Sequence, residues 1–184
     1  MTQNNLSNSS LSSNQNFNPQ IYVACLASYN NGVLYGCWCD ATENKDIIND
    51  QIQTMLSNSS IPHAEEYSIH GYSDFGSLNL SENECLSTVH DLALFIKEHG
   101  ELGVELIGYL GDLESAQDAL ENNYHGSYNS ELSYAIDLFD DCYIHDVPKN
   151  IRYYIDYEAF CRDLFMSDYY SISADGDVHI FSNH

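Results

Sequence analysis

The chain has 184 residues, with 28 acidic residues against 5 basic ones and a formal net charge of −23 at pH 7. This charge argues against direct binding to nucleic acid or to anionic membranes, because both repel a polyanion, and it favours basic proteins or cations as partners. A hydrophobic content of 43% and fifteen Tyr exclude a disordered acidic segment. The length suits one compact domain or two to three very small ones.

The cysteines and the N-terminus bear on the compartment. Six Cys are scattered along the chain without a CxxC pair. We expect no signal peptide, because the N-terminus lacks an apolar core, and no apolar run is long enough to span a bilayer. We therefore predict a cytoplasmic protein with reduced thiols, in which the Cys serve as small buried apolar residues.

Four segments differ in composition and in predicted structure. Residues 1–19 are rich in Asn, Ser and Gln and carry no charged side chain, which predicts a disordered polar tail. We predict an N-terminal α+β domain over 20–79, a central helical domain over 80–123 and a C-terminal α+β domain over 124–184. The predicted fold class is therefore α+β.

The N-terminal unit begins with two β-prone apolar stretches, 21–28 and 33–40. The sequence YNNG at 29–32 separates them, which predicts a β-hairpin with a tight turn. Thr42 is the predicted N-cap of a helix over 43–56. A third strand is expected at 65–70.

The middle of the chain has helical periodicity. Ser81, with Glu84 three residues later, predicts a helix N-terminus, and the helix continues to Glu98 before Gly100 ends it. Residues 101–110 form a short predicted helix, and Asp112 starts the next one.

The C-terminal part alternates helices with turn signals. Gly126 breaks the preceding helix, and Asn129 or Ser130 caps a helix that ends near Cys142. We predict a further helix over 151–165, with some strand character at its aromatic start. The chain closes with a predicted hairpin whose strands are 169–173 and 178–181, joined by a turn at Asp175-Gly176.

Acidic residues dominate one part of the chain. Between Lys97 and Lys149 lie 51 residues with twelve carboxylates and no Lys or Arg. The spacing of Glu114, Asp118 and Glu121 (i, i+4, i+7) predicts that they share a helix face, and so does that of Asp137, Asp140 and Asp141 (i, i+3, i+4). We predict that the partner-binding carboxylates are Glu98, Glu101, Glu105, Asp112, Glu114, Asp118, Glu121, Glu131, Asp137, Asp140, Asp141, Asp156 and Glu158.

An ordered row of acids has a specific physical meaning. Helical residues three or four apart have Cβ atoms about 5–6 Å apart, and DNA carries one phosphate per roughly 3.4 Å on each strand. A helix with an acid on every turn can therefore approximate a row of phosphates in charge density. The alternative interpretation of any one cluster is a solvated acidic face.

Other chemistries find little support. Paired carboxylates could act as general acid and base, but no particular pair stands out among the 28 acids. Cys37 and Cys39 share a strand face and could form half of a zinc site, yet no second pair matches them. The Asp175-Gly176-Asp177 turn is too short for a calcium loop. The sequence contains no HExxH, GxSxG, GxGxxG or P-loop motif, and we predict no catalytic, metal or cofactor site.

Several blocks of the sequence, in one order, closely resemble the ArdA-type antirestriction family. The resemblance covers about residues 20–182. Its most specific blocks are YNNG at 29–32 with Trp38 and Asp40, AEE at 64–66, ENNYHGSY at 121–128 and YIDYEAFCRDL at 154–164. The chain departs from the family pattern in its polar N-terminal tail and in the two Cys that flank Trp38.

The resemblance implies an elongated, dimeric chain of small domains whose acids mimic the phosphates of B-DNA. It implies a non-enzymatic inhibitor that occupies the DNA-binding groove of type I restriction-modification enzymes, formed by their specificity and modification subunits. Such an inhibitor protects incoming mobile DNA. Two alternatives remain open: an acidic binding module for another basic DNA-binding protein, and a small hydrolase. We expect structural roles for Trp38, Tyr124, Gly126, Tyr154 and Tyr157.

Overall fold

The computed structural model describes residues 17–183 and has an α+β fold. The α-helices are α1 (Leu26–Asn30), α2 (Lys45–Ser57), α3 (Leu86–Leu110), α4 (Leu113–Asp118), α5 (Glu131–Cys142) and α6 (Tyr157–Ser167). The strands are β1 (Gln20–Cys25), β2 (Gly36–Asp40), β3 (Tyr67–Ser73), β4 (Tyr124–Tyr128), β5 (Tyr169–Ala174) and β6 (Asp177–Ser182). A π-helical turn, Ala119–Asn123, follows α4, and the 3₁₀ turns Ile144–Asp146 and Arg152–Tyr154 lie between α5 and α6.

The strands form two antiparallel sheets of three strands each. The first has the order β2-β1-β3, and the second has the order β4-β6-β5. Alternating apolar residues of β1, among them Ile21 and Val23, pack with α2 and the first half of α3 into a core in which Ile48 and Ile96 are fully buried. Burial of these side chains supplies the main driving force for the N-terminal unit.

A second core joins the middle of the chain to the C-terminal sheet. It brings together Phe95 and Leu106 of α3, Ala116 of α4, Ile172 of β5 and Phe181 of β6. A smaller third cluster is formed by α5, α6 and the C-terminal sheet, with Tyr134 and Ala135 buried. The helices that carry most of the acids are therefore fixed by packing on their apolar sides. The predicted division at residues 79/80 and 123/124 stays a prediction.

The predicted hairpin at the N-terminus is only partly correct. β1 and β2 are antiparallel neighbours, but a short helix and a loop connect them instead of a tight turn. α1 begins after Cys25, whose Sγ accepts a hydrogen bond from the Ser28 N–H, and Asn31 donates its side-chain amide to the Ala27 carbonyl at 2.8 Å. Asn31 and Gly32 therefore close a helix, which the hairpin interpretation missed.

Two predicted helix caps were wrong because other side chains take the role. The Thr42 N–H and hydroxyl donate to Asp40 Oδ1 at 2.8 and 2.7 Å, and Asn44 caps α2 by accepting from the Asp46 N–H. Ser81 holds a turn through the Asn83 N–H, and α3 begins only at Leu86. Short polar side chains bond to nearby backbone in several ways, so spacing alone does not identify a cap.

The predictions for the C-terminal part need two corrections, and the third strand of the first sheet needs one. Residues 124–128, predicted only to break a helix at Gly126, form β4, with a register shift against β6 between Tyr124 and Gly126. The predicted helix over 151–165 begins only at Tyr157, where Asp156 caps it. The third strand of the first sheet also lies later than predicted, at Tyr67–Ser73. The C-terminal hairpin and the Ser130 cap of α5 are confirmed.

The boundary of the predicted polar tail also shifts. Pro19 is fully buried, its carbonyl accepts from the Ala41 N–H, and Phe17 packs against the first core. Most of the predicted tail, residues 1–16, lies outside the described residues.

The long helix α3 bends at Gly100, which has φ 59° and ψ −137°. This conformation is nearly restricted to glycine, so we expect Gly100→Ala to lower the free energy of unfolding by about 1–3 kcal/mol in urea denaturation. Gly108 lies in the regular part of the same helix, and an added Cβ there meets nothing within 4 Å. The control substitution Gly108→Ala should instead stabilise the protein by about 0.5–1 kcal/mol. Equal effects of the two substitutions would contradict the role assigned to Gly100 in the bend.

Candidate partner-binding surface

All thirteen predicted partner-binding acids are solvent-exposed. They lie along α3, α4 with its following π-helical turn, α5 and α6, or at the caps of these helices, and none is drawn into a core. We call these thirteen side chains, from Glu98 to Glu158, the acidic surface. Exposure keeps the carboxylates hydrated and accessible to a cationic partner.

The basic side chains leave this surface unneutralised. Among residues 17–183, the one ion pair between a basic and an acidic side chain joins Lys45 and Asp91 at 2.9 Å. Lys97 donates to the Thr42 hydroxyl, and Arg152 donates to the Val147 carbonyl. Lys97 and Arg152 therefore bond to uncharged groups, and among residues 17–183 no acid of the acidic surface has a Lys or Arg partner.

Six acids of the acidic surface accept hydrogen bonds from the protein itself. Asp112 and Asp156 cap α4 and α6, and Asp118 accepts from the Asn122 amide. The longer-range acceptors are Glu101, Glu131 and Asp140, whose donors are the Asp175 N–H at 3.0 Å, the Ser171 hydroxyl at 2.7 Å and the Tyr157 hydroxyl at 2.8 Å. These acids stabilise the fold in addition to supplying charge, a role that the sequence pattern did not indicate.

The other seven acids of the acidic surface have no hydrogen-bond or ion-pair partner among residues 17–183. We call them the unpartnered acids: Glu98, Glu105, Glu114, Glu121, Asp137, Asp141 and Glu158. Their negative charge is compensated only by solvent and counterions. They are therefore the carboxylates most available to form ion pairs with a cationic partner.

The structure regroups one predicted row of acids. Glu114, Asp118 and Glu121 were predicted to share a helix face, but Glu121 lies in the π-helical turn, whose wider spacing changes its direction. Glu121 instead lines a groove with Glu98 and Asp91 across the α3–α4 contact. The predicted set of acids omits Asp91, although its i, i+7 spacing from Glu98 on one helix was the available signal.

The helical placement predicted for Asp137, Asp140 and Asp141 is confirmed, and their partner-binding role stays a prediction. They lie on the regular helix α5 and all three are exposed, whereas Tyr134 and Ala135, earlier in the same helix, are buried. Glu98 and Glu101 lie on either side of the Gly100 bend. The direction of the acidic row therefore changes within α3.

Hydrogen bonds shift the pKa values of two groups at this surface. The backbone and hydroxyl donors of Ser115 lower the pKa of Asp112, and the hydrogen bond to Asp140 raises the pKa of the Tyr157 phenol. Because the folded state lowers the pKa of Asp112, its cap stabilises the fold above the ordinary carboxyl pKa. The contribution is lost as the pH falls through the lowered value.

The predicted structural residues differ in burial. Trp38 packs against Tyr22 with ring centroids 5.5 Å apart, and Tyr124 contacts Phe181. Tyr154 is 84% exposed, so its predicted structural role in the isolated chain is wrong.

Among the described residues, no group of three or more His, Cys, Asp or Glu is arranged to hold a metal ion. No helix within 17–183 is both long and apolar enough to cross a bilayer.

Self-repulsion of the acidic surface should make stability depend on salt. We expect added NaCl to raise the melting temperature, because screening weakens repulsion between exposed like charges. Differential scanning fluorimetry over a range of NaCl concentrations measures this, with KCl as the control for ion identity. A flat or falling melting temperature would contradict dense exposed charge.

Comparison with known proteins identifies the family. No curated protein sequence matches the chain. The sequence model described as antirestriction protein (ArdA) matches residues 21–179, which includes the described sheets and helices almost completely, together with the whole acidic surface. The chain therefore belongs to the ArdA antirestriction family.

Proposed function

We propose that the protein inhibits type I restriction-modification enzymes by mimicking B-DNA. The acidic surface would occupy the DNA-binding groove of the specificity and modification subunits and exclude the duplex competitively. No covalent bond is made or broken in this mechanism. The observation that carries the proposal is the set of seven unpartnered acids, exposed on helices whose opposite sides are fixed in the cores.

The charges are suited to a binding site that normally holds phosphates. Acids one helical turn apart have Cβ atoms about 5–6 Å apart, within the reach of Lys and Arg side chains that contact successive phosphates. Complementary charge also accelerates the encounter with a basic groove. Because each exposed ionic contact contributes little, affinity depends on the number of contacts made together.

An inhibition assay tests this function. Cleavage of unmodified plasmid by a purified type I enzyme should stop when the protein is added, and inhibition should weaken as NaCl is raised. Polyglutamate at the same total charge is the control for bulk acidity. Equal inhibition by polyglutamate would show that the ordered surface is not responsible. Undiminished cleavage, together with tight binding to another basic DNA-binding protein, would favour a general acidic binding module.

Homodimerisation belongs to the same proposal. An exposed aromatic and apolar patch lies near the turn between α5 and α6, with Tyr153 89%, Tyr154 84% and Ile151 46% exposed. Tyrosines are enriched at protein interfaces, where the ring is buried and the hydroxyl finds a partner. A second copy of the chain, as the family resemblance implies, would cover this patch.

The patch predicts a specific change in assembly state. We expect the double substitution Tyr153→Ser and Tyr154→Ser to shift the protein from dimer to monomer in sedimentation equilibrium. Tyr29→Ser, at a tyrosine 51% exposed in the N-terminal unit, is the matched control and should leave the dimer intact. An unchanged dimer in the double variant would remove this patch from the interface.

A further inference from the structure

Two cysteines on strand β2 form a pair that the antirestriction function does not use. Their Sγ atoms lie 3.8 Å apart. Cys39 is buried, with 1% exposure, whereas Cys37 is partly exposed and lines an open groove between β2 and α2. Met55 of α2, whose thioether is a further soft donor, lines the same groove.

We infer that Cys37 and Cys39 bind a soft monovalent metal ion, Cu(I), as a dithiolate, with the Met55 thioether as third donor. Thiolate and thioether ligands select soft ions such as Cu(I) over hard ones. Zinc would require four ligands, and residues 17–183 contain no group of three or more His, Cys, Asp and Glu arranged for a metal. Cu(I) is satisfied by two or three sulfur donors.

The geometry suits a bridging ion better than a disulfide. Metal–thiolate bonds of about 2.3 Å at a trigonal angle place two sulfur atoms about 4.0 Å apart, close to the 3.8 Å between the Sγ atoms of Cys37 and Cys39. In a strand, residues two apart are separated by about 6.6 Å, at the upper limit of the Cα separation of about 4.4–6.8 Å that a disulfide tolerates. An ion can therefore enter without bending β2, whereas a disulfide would strain it.

Protonation makes the site dependent on pH. The thiolate, not the thiol, is the metal ligand, so each thiol loses its proton when Cu(I) binds. Affinity should therefore increase with pH.

Trp38 provides a fluorescence signal that reports on this site. It is the one tryptophan of the chain and lies between the two cysteines in the sequence. Anaerobic titration of the reduced protein with Cu(I), buffered by a chromogenic Cu(I) chelator, should quench Trp38 fluorescence at one equivalent. The exposed Cys85 and Cys142 are replaced by Ser in the parent protein for this titration, so that they do not compete.

Substitutions decide the assignment. Cys37→Ser and Cys39→Ser should each weaken Cu(I) binding about 100-fold, because chelation by two thiolates is lost and only one thiolate and the weaker thioether donor remain. Cys161→Ser, at a cysteine of intermediate exposure on α6, is the control and should bind like the parent. Unchanged binding in the Cys37 or Cys39 variants, or a 37–39 disulfide in the protein as isolated, would overturn the site. Unchanged affinity in Met55→Leu would overturn the three-donor arrangement.

Discussion

Neutralising four unpartnered acids together should weaken inhibition of a type I enzyme roughly 30-fold. The substitutions are Glu98→Gln, Glu105→Gln, Glu114→Gln and Glu121→Gln. An exposed ionic contact is worth about 0.5 kcal/mol, so that four contribute about 2 kcal/mol, or roughly a factor of 30 in affinity. Each single substitution should change affinity only about twofold. The measurement is the concentration for half-inhibition of cleavage at fixed low salt.

Two controls separate charge from its position. Changing the same four residues to Asp keeps the charge and should keep most of the inhibition. Neutralising Glu43, Asp46, Asp50 and Glu65, which are exposed acids of the N-terminal unit, tests whether the region from Glu98 onward is the main contact. An equal loss of inhibition in this N-terminal variant would mean that the contact with the enzyme extends over the whole chain. If one neutral substitution abolished inhibition while the fold survived, distributed mimicry would be wrong.

Phe181→Ala should destabilise the protein more than any change at its surface. Phe181 is fully buried in β6 and packs between Tyr170 and Tyr124, with ring centroids 5.2 and 5.1 Å away. The second core, to which it belongs, joins α3 and α4 to the C-terminal sheet. Truncating a buried Phe leaves a cavity and costs about 3–5 kcal/mol, a large part of a typical total stability of about 5–15 kcal/mol.

Urea denaturation followed by circular dichroism measures this loss. The control is Val33→Ala, at a side chain 53% exposed, which should change stability by less than about 0.5 kcal/mol. A cost below about 1 kcal/mol for Phe181→Ala would mean that the second core is not packed as described. Because this core supports the helices of the acidic surface, we expect the substitution also to weaken inhibition at 37 °C.

The elements with clear local signals were predictable from the sequence. The prediction was correct for two helix caps, Asp112 and Ser130, and for the hairpin turn at Asp175-Gly176. Each of these features depends on residues only two or three positions away. Helical spacing also predicted that the acids of α5 would be exposed together. The resemblance of several sequence blocks to the ArdA family indicated the family, whereas the net charge alone did not identify it.

Errors arose where a distant contact decides the local structure. Strand β4 forms because it pairs with β6, more than fifty residues later in the chain. The local sequence YHGSY contains no signal that identifies this partner strand. Thr42 fails as a cap because Asp40 holds it and Lys97 binds its hydroxyl. The double role of Glu131, which accepts from Ser171 forty residues away, could not be inferred from spacing for the same reason.

The π-helical turn shows why helix faces are not fixed by spacing alone. A regular helix would place Glu121 with Glu114 and Asp118. Glu121 lies instead in the wider π-helical turn and lines a groove together with Glu98 of α3. Acids from two segments of the acidic surface thereby line one groove.

Competition with DNA for one site tests the central claim most directly. A purified type I enzyme is equilibrated with fluorescent duplex carrying its target site, and the protein is added while anisotropy is followed. Mimicry of B-DNA predicts that the duplex is fully displaced and that its apparent Kd rises in proportion to the concentration of free protein. Duplex that stays bound at saturating protein, in a complex containing enzyme, duplex and inhibitor together, would contradict it.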